Sequence, residues 1–130
     1  MKTKWLNGIE AVETINPLIE KRNRENPLAM PWSLLNDKTS FAVAAFEEEF
    51  VIGYICLQLF PFLGPMFVEQ IACNGEVSKM LVDEMAKVMA DMQARGVMVV
   101  CESPVTERMC KARGMKRIEF PVYISTEVGT

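Results

Sequence analysis

At 130 residues and 14.7 kDa the chain is the size of one domain with a single buried core, and it reads as one domain over residues 1–130. Half of its residues are hydrophobic and 24% are charged, which excludes a disordered chain, while 17 acidic against 14 basic residues leave a net charge of −3 that argues against a general nucleic-acid binder. It holds no histidine, so His-based catalysis, proton shuttling and His metal ligation are excluded.

The four cysteines, Cys56, Cys73, Cys101 and Cys110, form no C-x-x-C pair, so no zinc or thioredoxin-type site is expected and no metal is assigned. Three of them sit in apolar runs, where Cys is a small buried hydrophobe, and a reducing, cytoplasmic setting is the simplest reading. Asn7, Gly8 and Glu10 interrupt the apolar stretch that a secretory leader needs. The longest apolar candidate, residues 50–67, is broken by Gly53, Gln58, Pro61, Gly64 and Pro65, so no membrane span is expected.

In chain order, residues 3–6 suit a short first strand. Asn7 is a candidate cap for a helix carrying Ile9, Val12 and Ile15 on one side. Asn16-Pro17 is expected to break that helix and start a second one, with Leu18 and Ile19 facing inward. Residues 26–37, with Pro27 and Pro31, read as a loop anchored by Trp32. Residues 40–46 and 50–60 are rich in β-branched and aromatic side chains around Glu47-Glu48-Glu49, which predicts an antiparallel hairpin with a solvated acidic turn. Gly53 marks a bulge in it. Residues 61–65 form a turn, and residues 66–73 a third long strand.

The clearest helix spans residues 75–95. Val77, Met80, Leu81, Met85, Val88, Met89 and Met92 recur at helical spacing, with Asn74 as cap and Gly96 as left-handed stop. Its methionines read as core packing before they read as a partner-binding stripe. Residues 97–101 suit a strand buried on both faces. Ser103-Pro104 starts a last helix ending at Gly114, and residues 116–120 and 122–125 finish as strands around Pro121.

The crossover helix between residues 66–73 and 97–101 should leave those strands parallel. The expected class is therefore α+β of the three-layer type: a mixed, mostly antiparallel sheet with a central parallel pair, flanked by helices. This order resembles the GNAT (acyl-CoA N-acyltransferase) fold over nearly the whole chain. Three stretches carry the resemblance: the hairpin 41–60, the strand-to-long-helix step 67–81, and the tail from Val99-Val100-Cys101-Glu102-Ser103-Pro104 to Lys111-Ala112-Arg113-Gly114-Met115. The tail is similar to the family's "Gly-Phe" ending, with Met115 in place of Phe.

The resemblance implies acetyl-CoA as cofactor, held by a loop of pattern Q/R-x-x-G-x-G/A after the fourth strand. Backbone N–H groups and the positive end of the long helix there wrap the pyrophosphate. Here Cys73, Glu76 and Ser78 stand at the three defining positions, and the loop is shortened. The Glu76 carboxylate would stand where phosphate should rest, with Lys79 as a possible counter-charge. A shift of register would let Gly75 serve as a single phosphate-loop glycine. The implied cofactor contacts are Gln70, Ile71, Ala72, Asn74, Gly75, Val77, Ser78 and Lys79. Glu69 matches the family's frequent general base, and its plainer role is a solvent-facing residue or a structural salt bridge. Cys110 stands where many members carry a thiolate-protonating tyrosine, and there its plainer role is packing. Ser103 replaces a common Asn and suits an N-cap; Glu102 lies at the strand's carboxyl edge.

Two functions follow. The first is a GNAT-like binding or assembly module that has lost acyl-CoA chemistry. It would resemble the GNAT-like proteins of short-tailed bacteriophages, some of which are virion components, and would act through a protein partner or self-association in the host cytoplasm or virion. Trp5, Trp32, Phe60, Phe62 and Phe67 would supply its apolar patch. The second is an atypical acetyl-CoA-dependent N-acetyltransferase acting on an amine, with backbone donors of a bulged fourth strand near Gln70–Ala72 and Glu69 as base. Nucleic-acid binding through Arg108, Lys111, Arg113, Lys116 and Arg117 ranks third.

Overall fold

The computed structural model describes residues 1–26, 34–59, 66–72, 75–93, 97–99 and 104–118. The chain divides into two compact units, Met1–Val100 and Cys101–Thr130. The first unit holds β1 (Lys2–Asn7), α1 (Gly8–Glu25), β2 (Ser40–Glu47), β3 (Phe50–Leu59), β4 (Met66–Ala72), α2 (Gly75–Asp91) and β5 (Val97–Val99). The five strands form one sheet in sequence order. Successive pairs are antiparallel except the last, β4 with β5, which is parallel as the crossover requires.

The period-2 alternation of the strands divides the core between the two sheet faces. Leu6, Ala42, Ala44, Tyr54 and Cys56 face α1, where Ala11, Ile15, Ile19 and Leu35 complete one buried cluster. Phe41, Val43, Ala45, Ile55 and Leu57 face α2 and bury Val77 and Leu81. Trp5 belongs to this second face: its ring lies 4.7 Å from that of Phe41, tilted by 37°. It is half-buried packing rather than part of an exposed patch. Trp32, Phe60 and Phe62 lie outside the described residues.

The break expected at Asn16-Pro17 does not occur, and α1 runs through Pro17 as one 18-residue helix. Ala11, Ile15 and Ile19 fall on one stripe across the proline, all buried. Their burial, at roughly 1.5–3 kcal/mol for a large side chain, outweighs the roughly 3 kcal/mol that a helix-interior proline costs. Ile9 is not on that stripe and is 64% exposed. Asn7 holds the cap position, yet its side chain makes no capping bond. The first turn is tied instead by the ion pair of Lys4 Nζ with Glu10 Oε1 at 2.5 Å.

The β2–β3 hairpin closes with Glu47 opposite Phe50, and Glu48 adopts φ 58° in the turn. Its register slips between Ala45 and Phe46, which pair with Gly53 and Val51, so the expected bulge falls at Ile52, beside Gly53. α2 ends at Asp91, short of residue 95; Gln93, at φ 56°, takes the left-handed position, while Asn74 and Gly96 lie outside the described residues. Met80, Met85 and Met89 pack on the core as expected, but Met92 is exposed.

In the second unit, α3 (Pro104–Ala112) ends in a Schellman motif. Met115 N–H donates to Cys110 O at 3.1 Å and Gly114 N–H to Lys111 O at 3.0 Å, with Gly114 at φ 72°. Residues 115–118 carry no assigned strand, and the rest of the two expected terminal strands lies outside the described residues.

Candidate active site

β4 carries the densest set of predicted site residues, and its pairing is irregular where they lie. Cys56 pairs with Gln70 but Leu57 pairs with Val68, which leaves Glu69 as an extra residue in β4. Such a bulge breaks the ladder and re-aims backbone groups. On the other side of β4 only Met66, Phe67 and Val68 pair with β5, opposite Val97, Met98 and Val99. Among the described residues, Gln70, Ile71 and Ala72 are paired on the β3 side alone. Their second backbone edge can take hydrogen bonds from an extended ligand.

Two residues after β4, α2 begins. The connection is as short as the sequence indicated, and Cys73 and Asn74 within it lie outside the described residues. The first amides of a helix have no intrahelical acceptors and suit an anion. A Cβ built on Gly75 would meet nothing within 4 Å, so that approach is open. Val77 and Ser78, at 3% and 6% exposure, are turned into the protein and fix the helix start on the sheet. Their side chains do not reach out as ligand contacts. Glu76 and Lys79 are both exposed, and among the described residues no ion pair joins them. The expected counter-charge is therefore not engaged.

The hairpin register adds a feature that sequence order hides. Tyr54 lies opposite Ala72, so β3 continues past the end of β4 toward Phe50. The turn at Glu47-Glu48-Glu49 thus lies at the same end of the sheet as the start of α2, and all three glutamates are exposed. Lys2, opposite Phe46, is the cation of the described sheet at that end. The signal for this placement was the lengths of the two strands, once their pairing is known.

Cys110 sits half-buried in the last turn of α3, in the second unit, and carries no disulfide. Glu102 and Ser103 lie outside the described residues. The basic cluster near α3 is partly neutralised: Glu107 Oε1 pairs with Lys111 Nζ at 3.5 Å and Arg117 Nη1 at 3.9 Å. Among the described residues no three Cys, Asp or Glu side chains gather into a metal site, and no helix is long and apolar enough to cross a membrane.

A clamp that sequence reading missed ties α1 to the entry of β2. Asn16 Oδ1 accepts from Leu35 N–H at 2.7 Å, and Asn16 Nδ2 donates to Leu35 O at 3.0 Å. An Asn beside a helix-interior proline was its only local signal.

No family model matches the sequence, and no curated protein matches it. Solved structures do. A probable acetyltransferase superposes with TM-score 0.71 at 18% identity, covering 98% of this chain and 100% of its own. The ribosomal-protein-alanine N-acetyltransferase of Brucella melitensis biovar Abortus 2308 gives TM-score 0.64 at 15% identity, covering 95% and 96%. The aminoglycoside N-acetyltransferase AAC(6')-Iy, in complex with CoA, gives 0.64 at 12% identity, covering 97% and 99%. With its mixed sheet, its β4 bulge and the helix that follows, the chain has the GNAT fold.

Proposed function

We propose that the chain is an N-acetyltransferase that takes an acetyl thioester, with acetyl-CoA as the reference donor, and acts on a primary amine. The observation that carries this reading is the β4 bulge at Glu69 beside the β4–β5 seam, followed within two residues by the start of α2. Its fold relatives with an amine acceptor in their names support it over a purely structural role. They give a phage or virion role no support.

The residues present fit the donor in part. The edge of Gln70, Ile71 and Ala72 away from β3, unpaired among the described residues, suits a pantetheine-like arm, and the open face of Gly75 suits an anion at the helix start. Glu76, in the same turn, opposes that anion. A bound donor supplies an activated acetyl carbonyl. In the transfer, a nitrogen–carbon bond forms as the carbon–sulfur bond breaks, and the proton lost by the amine is balanced by one gained at the thiolate. Glu69 accepts the amine proton, directly or through water, and backbone N–H groups of residues 70–72 stabilise the developing oxyanion. Cys110 acts as packing in the Schellman turn, and water protonates the thiolate.

The test is thiol release from acetyl-CoA and from acetyl-pantetheine with a pool of primary amines, with mass detection of acetylated product. The reading expects amine-dependent release, reduced by about 100-fold or more in Glu69→Gln. No release above hydrolysis with either donor overturns it. The second reading, a binding module without transfer, is favoured by Glu76 alone and predicts no thermal stabilisation by either thioester.

A further inference from the structure

Asn7 ends β1 and Gly8 starts α1, so an asparagine–glycine step joins the edge strand to the first helix. We propose that this step is a self-modification site, at which the Gly8 backbone nitrogen displaces the Asn7 side-chain amide and water opens the resulting succinimide to aspartate or isoaspartate. The inference is independent of the transferase reading.

Asn7 is exposed, and no capping bond or other hydrogen bond among the described residues holds its side chain. Gly8 carries no Cβ to shield its nitrogen, and the space that a Cβ would fill is empty to 4 Å. Asn7 is extended, at φ −139° and ψ 167°, so ring closure needs rotation about ψ. That rotation opens only the last pair of the β1–β2 ladder, Asn7 with Phe41, and ladder ends open most readily. The other described asparagines lack this combination. Asn16 and Asn26 precede prolines, whose nitrogen has no hydrogen to give up. Asn23 lies inside α1, where the helical ladder fixes the next amide. Asn36 Oδ1 accepts from Lys38 N–H at 3.0 Å and Thr39 N–H at 2.8 Å.

In the first step a bond forms between Gly8 N and Asn7 Cγ as the Cγ–Nδ2 bond breaks, and Nδ2 leaves as ammonia with the Gly8 proton. Water then adds to one ring carbonyl. Opening at Cγ restores the main chain with an aspartate at position 7. Opening at the backbone carbonyl carries the chain through the side-chain carbon and adds a methylene between β1 and α1. The aspartate gives α1 the side-chain cap that it lacks, with a negative charge at its positive end. The isoaspartate shifts the end of β1 against the start of α1.

Incubation of the full chain in neutral and in mildly alkaline buffer, followed by tandem mass mapping and isoaspartate-specific enzymatic methylation, tests the site. Conversion is expected at Asn7 ahead of Asn16, Asn23, Asn26 and Asn36, and faster at the higher pH, because the Gly8 nitrogen must lose its proton. Asn7→Gln, whose longer side chain closes a larger ring, should abolish conversion at this position, and Gly8→Ala should slow it several-fold. Asn7→Asp, which makes one product directly, should unfold at a higher temperature than the unconverted chain. An Asn7 that stays intact while Asn74 or any other asparagine converts overturns the proposal, as does conversion no faster than at Asn23. A rate unchanged in Gly8→Ala overturns the succinimide route. An equal or lower unfolding temperature for Asn7→Asp overturns the capping role of the product.

Discussion

Glu48, Gly114 and Asn16 show how single residues hold the turns around this fold. Gly114 has φ 72°, and a Cβ there would touch nothing within 4 Å. Gly114→Ala therefore isolates backbone strain from crowding, and should destabilise by about 1 kcal/mol in a denaturant titration. A neutral result would mean that the Schellman turn opens at little cost. Glu48 bears a similar strain, at φ 58°, without the glycine. Asn16 makes both hydrogen bonds of a strand-like pair to the Leu35 backbone, and Leu35 is buried. Asn16→Ala leaves that part-buried amide and carbonyl without their side-chain partner and should cost about 1 kcal/mol or more. Asn16→Asp keeps the acceptor and loses the donor, so its loss should be smaller. Equal stability of all three proteins would contradict the clamp. This contact was not legible in the sequence, because its partners are nineteen residues apart and nothing in either local pattern names the other.

At the scale of elements, periodicity predicted what burial decides. The helical spacing of Val77, Leu81 and Met85 marked the face that α2 buries, whereas the apolar runs of β2 and β3 showed strands without showing which side chain goes to which helix, a division that the sheet's two faces make. Proline was weighed as a local breaker, and there the reading failed. Ala11, Ile15 and Ile19 hold α1 straight through Pro17 by packing that no local rule contains. Pro17 is exposed, so Pro17→Ala removes a clash and restores a backbone donor while leaving the core untouched. It should stabilise the protein by about 1–3 kcal/mol, measured by thermal or denaturant unfolding. A loss of stability would show that the proline fixes α1 in a shape the core requires. Leu81→Ala, in the fully buried centre of the α2 face, should cost about 2–5 kcal/mol in the same measurement.

At the scale of the molecule, topology was legible because one crossover helix obliges β4 and β5 to run parallel, and the sheet has that order. For the candidate site, the sequence placed the residues on their elements but not in their pairing. Glu69, Gln70, Ile71 and Ala72 were read as candidates on one strand for which the resemblance implied a bulge, and that the extra residue is Glu69 depends on how β3 pairs with β4. Val77 and Ser78 turn their side chains inward, which leaves their backbone amides alone for the contacts that the resemblance implies. The acidic sheet end needed three strand registers at once. Backbone amide shifts of isotopically labelled protein, titrated with acetyl-pantetheine, bear on all of this together. The amides of Gln70, Ile71, Ala72 and Gly75 should move with a common saturation curve, and those of the β2–β3 hairpin should stay still. Saturable shifts confined to another surface, or none at millimolar ligand, would contradict a donor site on β4.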